Sequence, residues 1–176
     1  MMFIETENNE IALMTKGQKI VRNVISWWAV IGFGLWVGGT LFSMLVIVPL
    51  WSSSPPESVR SFFLGTNFNN TVLNFFGPQW MVVRAAPLFI YTALSWRNKK
   101  KWWLIISSMS MIIIIIFTLV YIYPINEALM TQAGGTYSRD EVCIMVYDWV
   151  FADRVRFFIG TIGYLCLLRA FQINED

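Results

Sequence analysis

The feature that most restricts this chain is how its apolar residues arrive, in long unbroken blocks and not at the period of a surface helix. Residues 24–48, 75–96, 102–123 and 142–171 form four such blocks. Each reaches the about 20 residues that carry a helix across the hydrocarbon core of a bilayer. Lipid offers no partner for backbone N–H and C=O groups, so blocks of this length must be helical. Charged residues are 14% of the chain, against about a quarter in soluble domains. The sequence therefore predicts an all-α integral membrane protein, a four-transmembrane-helix up-down bundle over 24–171. An N-terminal arm (1–23) and a short tail (172–176) flank it. The arm is polar and lacks a small-residue cleavage pattern, so it does not read as a cleavable leader.

Positive charge sets the expected orientation. Lys16, Lys19, Arg22, Arg97, Lys99, Lys100, Lys101 and Arg169 fall on one side of the blocks, and Arg60, Arg139 and Arg154 on the other. The bias predicts both termini in the cytoplasm. A net charge of +2 gives no reason to expect nucleic acid as a partner. Histidine is absent, which removes His-ligated haem, His-bound zinc or copper, and a histidine general base. Cys143 and Cys166 lie far apart along one predicted helix, and no metal-spaced cysteine cluster exists.

Within the first block, Gly34 and Gly38 have the small-xxx-small spacing that lets a neighbouring helix approach. Trp27, Trp28 and Trp51 read as interfacial anchors, while Trp36 lies mid-span, facing lipid or a pocket. After the Ser-Ser-Ser-Pro-Pro breaker, a helix is expected to start at Glu57. The Asn- and Phe-rich run over 65–76 suits a short interfacial helix or lid between the first and second spans. In the second block Trp80, Arg84, Pro87 and Tyr91 share a helical face, and Pro87 should kink the helix beside Arg84. The third block closes on Tyr121-Ile-Tyr-Pro-Ile-Asn-Glu127. Ser138-Arg-Asp-Glu141 has the form of a capping box, so the fourth helix should start near Arg139.

The fourth helix carries the densest chemistry. Trp149, Asp153, Arg156, Gly160 and Gly163 fall on one stripe at helical spacing. Charges inside a span cost roughly 2.5–3.5 kcal/mol each on insertion scales, so they face a partner or a wet cavity. Bringing the non-cytoplasmic ends together would place Arg84, Asn126, Glu127, Asp148, Asp153, Arg154 and Arg156 at one level. Trp36, Trp80, Tyr91, Tyr121, Tyr123 and Trp149 would wall the space. One account is an ion-paired network that fixes helix register, with Asp153 tied to Arg84 or Arg156. The other is an outer-leaflet pocket for a flat, lipophilic, partly oxygenated molecule.

Pro124-Ile-Asn126, followed by Trp149-x-x-x-Asp153-x-x-Arg156 and preceded by a Gly-rich first span ending in Pro49, resembles the anthrone oxygenase-like family of small four-helix membrane proteins. The resemblance implies cofactor-free oxidation of a polyketide anthrone to an anthraquinone by dioxygen, with Asn126, Trp149 and Arg156 carried over. Where the family more usually has His or Asn, this chain has Asp153. A base role then falls to Asp153 or Glu127.

The reading that follows is a membrane enzyme acting on a lipophilic aromatic, polyketide-like or isoprenoid substrate without metal or flavin. Asp153 or Glu127 would move a proton, and Arg84 and Arg156 would clamp the developing oxyanion. Asn126, Tyr121, Trp80, Trp36, Asp148, Tyr91 and Trp149 would bind the substrate. A membrane cyclase or isomerase using a carboxylic acid is the alternative enzyme. A lipid- or quinone-binding subunit without catalysis is the alternative of another class, and assembly into a homo-oligomer is left open.

Overall fold

The computed structural model describes residues 16–65, 75–131 and 135–173. The N-terminal arm to residue 15, the run at 66–74 where a lid was expected, and the last three residues lie outside the described part. Among the described residues every regular element is helical. The order is α1 (Lys16–Phe42), α2 (Val48–Ser52), α3 (Glu57–Gly65), α4 (Pro78–Leu94), α5 (Lys101–Phe117), α6 (Tyr123–Asn126) and α7 (Arg139–Gln172). Single π turns occupy Ser43–Ile47, Thr118–Ile122 and Glu127–Thr131. Helices α1, α4, α5 and α7 pack in a closed ring, with α5 most extensively against α7 and α1 against α4.

Two long helical stretches, Gly17–Ser52 and Lys101–Met130, are long and apolar enough to cross a bilayer. Helix α4 has 17 residues and contains Arg84. Helix α7 carries Asp153, Arg154 and Arg156, and neither reads as a plainly apolar span. Yet α7 shows an apolar outer face: Tyr147, Phe151, Phe158, Ile162 and Leu165 are 71%, 60%, 67%, 42% and 58% exposed. The expected stripe of Trp149, Asp153, Gly160 and Gly163 is its buried face.

The first and third spans extend further than the sequence suggested. Expected ends at Val48 and Tyr123 gave way to helices that run on through Pro49 and Pro124. A proline ring clashes with the carbonyl four residues back, here Leu45 and Val120. Both carbonyls lie inside a π turn, where the widened coil makes room for the ring. The chain therefore keeps its helical course and the helix swells instead of breaking. Helix α4 continues through Pro87.

Glycines set the closest approaches. A Cβ at Gly34 would lie 2.8 Å from the Tyr164 hydroxyl, and one at Gly163 would lie 2.6 Å from Ser110 Cβ. A Cβ at Gly160 would run into the Trp36 indole, and one at Gly39 into Phe75. Gly38 meets nothing within 4 Å, so the Gly34–Gly38 pairing read from the sequence is not the contact motif. In α1 the close approaches are instead Gly34 to Tyr164 of α7 and Gly39 to Phe75, and in α7 they are Gly160 to Trp36 of α1 and Gly163 to Ser110 of α5.

Buried apolar residues form two separate clusters. One contains Ala29, Phe33, Trp36, Leu88, Tyr91, Leu104, Ile114 and Leu167. The other contains Val48, Trp51, Val59, Phe63, Ile122, Leu129, Val142 and Trp149. Helix α3 belongs to the second, laying Val59 and Phe63 against Trp51. Between the clusters lies a polar layer.

Candidate functional site

The polar layer surrounds a cavity of about 100 Å³. Its aromatic walls are Trp36 from α1, Trp51 from α2 and Trp149 from α7, with Tyr123 and Asn126 from α6 and Asp153 and Arg156 from α7. Ser43 and Ile47 reach it from one π turn, Thr118 and Ile122 from another. The two proline-driven swellings thus stand on the cavity's edge, in keeping with the frequent placing of π bulges at functional sites. Gly160 leaves space for Trp36 to lie across α7 and close the cavity toward the first cluster.

Asp153 is 1% exposed and forms an ion pair with Arg156 three residues on. Arg156 Nη2 donates to Asp153 Oδ1 in a short contact, and Nη1 donates to Thr118 Oγ1 at 3.1 Å. The Thr118 hydroxyl itself donates to the Ile114 carbonyl at 2.7 Å, which leaves its lone pairs to accept from the arginine. Arg156 Nε is buried and has no acceptor among the described residues. A buried donor left unmade costs on the order of 1–3 kcal/mol, so the arginine is held here with one donor unsatisfied. The Asp153 Oδ2 atom has no hydrogen-bond partner among the described residues. Trp149 is fixed from two sides. Its indole N–H donates to Asn126 Oδ1 at 2.6 Å, and its ring stands edge-on to Trp51 at 5.0 Å.

Of the residues singled out in the sequence, Asp153, Arg156, Trp149, Asn126, Tyr123 and Trp36 come together around this cavity. The others do not. Arg84 is buried in α4, but it lies over the Phe75 ring at 4.0 Å, forms no ion pair among the described residues and does not line the cavity. The expected convergence of Arg84 on Asp153 is therefore absent, because Arg156 already occupies the carboxylate from the same helix. Glu127 is exposed at the start of a π turn. Trp80 is 42% exposed, and Tyr121, 41% exposed, stacks on Phe117. Asp148 is half-buried outside the cavity. Tyr91 is buried in the other cluster, under the Lys100 ammonium at 5.0 Å.

The sequence reading missed Thr40, Ser43, Ile47, Phe76, Met81, Ile122 and Met130 as cavity residues. Thr118, which accepts from Arg156, also lines the cavity. Trp51, expected at the membrane interface, is 1% exposed in the core of the second cluster, because α3 folds back over it. Pro49 and Pro124 were the available signal, since each lies one turn beyond cavity-lining residues.

Among the described residues no group of three His, Cys, Asp or Glu side chains could hold a metal ion. Residues 67–166, more than half of the chain, match the family model described as anthrone oxygenase. The match spans α4 through most of α7 and leaves out α1. Compared with curated proteins and with solved structures, the chain finds no significant match.

Proposed function

The chain belongs to the anthrone oxygenase family, and on that premise we propose that it is an integral membrane oxygenase for a planar, lipophilic ring system. In this reading α1, α4, α5 and α7 are four membrane spans. The termini are cytoplasmic, the cavity lies in the outer half of the bilayer, and α3 lies at the outer interface. The exposed apolar residues of α7 and its inward-facing, mutually neutralised Asp153–Arg156 pair support the fourth span, with the exposed Arg154 on that outer face reaching toward the headgroup level.

The observation that carries the chemistry is that Arg156, whose buried Nε has no acceptor among the described residues, lines the cavity together with the Asp153 carboxylate. A ring ketone oxygen of the substrate would accept from that N–H. As the methylene opposite the ketone in the central ring loses a proton, conjugation through the fused rings carries the negative charge to this oxygen, and a preorganised cationic donor contributes most at that point. Asp153 takes the proton through Oδ2 while Oδ1 stays on Arg156. The resulting carbanion is oxidised by dioxygen, which adds at the same carbon as a hydroperoxide. Loss of water from the hydroperoxide leaves the second ketone. One dioxygen is consumed, with one oxygen atom entering the quinone and one leaving as water. Trp36, Trp51 and Trp149 flank the ring, and the Asn126 hydrogen bond holds Trp149 in place.

The test is oxygen uptake and quinone formation by the purified full chain in detergent, with anthrone as probe. Uptake should match quinone one to one. Asp153→Asn and Arg156→Lys should each lower the rate at least about 100-fold, of the order set by removing one oxyanion donor, with helicity retained. Uptake no faster than in protein-free detergent, or unchanged in Asp153→Asn, would overturn the proposal.

A further inference from the structure

A second space adjoins the cavity. It is a groove of about 390 Å³ between the end of α1–α2 and α7, lined by Met44, Leu45, Val48, Pro49, Val150 and Arg154, among others. Trp149 and Asp153 line both spaces. The π turn Ser43–Ile47 is the other half of the partition. Its Ser43 and Ile47 turn to the cavity, its Met44 and Leu45 to the groove. Small-molecule sites occupy about 300–1,000 Å³, so the cavity by itself has room for the reacting ring and not for the whole of a polycyclic substrate, and the groove beside it has the volume for the rest.

The groove carries an unbalanced charge. Arg154 is exposed on its wall and makes no hydrogen bond, ion pair or ring contact among the described residues. The one acidic side chain of the groove, Asp153, is already held by Arg156. The remaining lining is apolar apart from Ser52 and Ser53. A lone guanidinium beside apolar surface is best matched by an acid on the ligand, since charge-assisted hydrogen bonds are about twice as strong as neutral ones.

We propose that the groove is a second subsite of the same site, taking the part of the substrate that lies outside the cavity and pairing an acidic substituent on it with Arg154. The substrate class is then an aromatic ketone bearing a carboxylate remote from the oxidised carbon. The inference rests on the cavity being the ring site, as proposed above. Arg154 would act in binding and not in the reaction.

Binding to the full chain in phosphatidylcholine nanodiscs, read by tryptophan quenching, tests it without relying on turnover. Anthraquinone-2-carboxylate should bind about tenfold more tightly than anthraquinone, as a charge-assisted contact would give. Arg154→Gln should abolish that preference without changing anthraquinone affinity, and Arg154→Lys should keep most of it. Equal binding of the two quinones, binding of neither, or a preference that survives Arg154→Gln overturns the inference. So does a preference that survives while Arg154→Gln releases phosphatidylglycerol, which would assign Arg154 to a lipid headgroup. An intact preference with no anthrone oxidation would sink the oxygenase reading alone.

Discussion

On one side of the Asp153–Arg156 pair, toward Trp27 and Phe171, α1, α4, α5 and α7 keep an unbroken α-helical register and close on one another. On the other side, toward Trp51 and Glu57, the two long apolar stretches Gly17–Ser52 and Lys101–Met130 pass through π turns and a cavity opens between them. The two halves use similar material. Each has a cluster of buried aliphatic and aromatic residues. They differ in what lies at the helix contacts. Toward Phe171 these are glycine, serine and alanine, with Thr92 and Ser108 hydrogen-bonded across α4 and α5 at 2.8 Å. Toward Glu57 two prolines force the swellings, and three tryptophans hold the helices apart. The lesson is that the cavity comes from a local change of helix type and needs no special loop.

The pair at the junction is where this contrast breaks most completely. Asp153→Ala leaves Arg156 buried without its counter-ion, a change that costs about 3–5 kcal/mol. Thermal unfolding in detergent should show the largest shift of any single substitution named here, together with loss of oxygen uptake. Replacing both partners, as in Asp153→Leu with Arg156→Met, should recover much of the stability and none of the turnover. Full stability in Asp153→Ala would mean that the pair does not join the two halves.

Leu167 tests whether the close-packed half is independent. It is fully buried, and Leu167→Ala should destabilise by about 2–5 kcal/mol through lost transfer energy and a residual void. Oxygen uptake per folded molecule and quinone affinity should stay as in the wild type. A fall in quinone affinity would show that the halves are mechanically coupled.

Gly160 sharpens the boundary between them. Gly160→Ala drives a methyl group into Trp36, and overpacking of this kind costs about 1–3 kcal/mol. Because Trp36 is pushed toward the cavity, turnover should fall much further than stability. Trp36→Phe in the same background should relieve the collision and restore stability. If turnover and stability fell in proportion, Trp36 would be a packing residue only.

How much of this was legible in the sequence follows from the range of each interaction. The fourth helix was, because Ser138, Glu141, Trp149, Asp153, Arg156, Gly160 and Gly163 act within one helix, where spacing decides which side chains meet. The Asp153–Arg156 pair is of that kind. Arg84 was not, since its surroundings depend on how α4 packs against α1, where its backbone meets Gly32 and its guanidinium lies over Phe75. Trp51 was read as interfacial from its place beside Pro49, but α3, which begins only a few residues on, folds back over it. Prolines 49 and 124 were read as stops because a proline usually is one. Whether a helix ends or swells depends on tertiary packing beyond it, here the second cluster, which no local pattern encodes.

The smallest expected effect lies at the solvent end of α7. The Ser138 hydroxyl donates to the Glu141 carboxylate at 2.7 Å and the Ser138 N–H donates to it at 2.8 Å. In return Glu141 N–H donates to the Ser138 hydroxyl at 3.4 Å. These bonds, the hydroxyl first, hold the Glu141 carboxyl below its usual range. Since the folded value lies below the unfolded one, the stabilisation is complete above the unfolded value of about 4.3. It is lost as pH falls through the folded value. Protection of the first-turn amides of α7 against hydrogen exchange, taken relative to the intrinsic rate at each pH, should therefore fall on acidification below about pH 4, near the carboxylate range, while protection around Asp153 stays unchanged. Ser138→Ala should show the lower protection at neutral pH already, with little further response to acid. If acid instead loosened the cavity walls together with that turn, the cap and the site would open as one unit. The contrast between the two halves of the molecule would then have to include the solvent end of α7 as a third, coupled part.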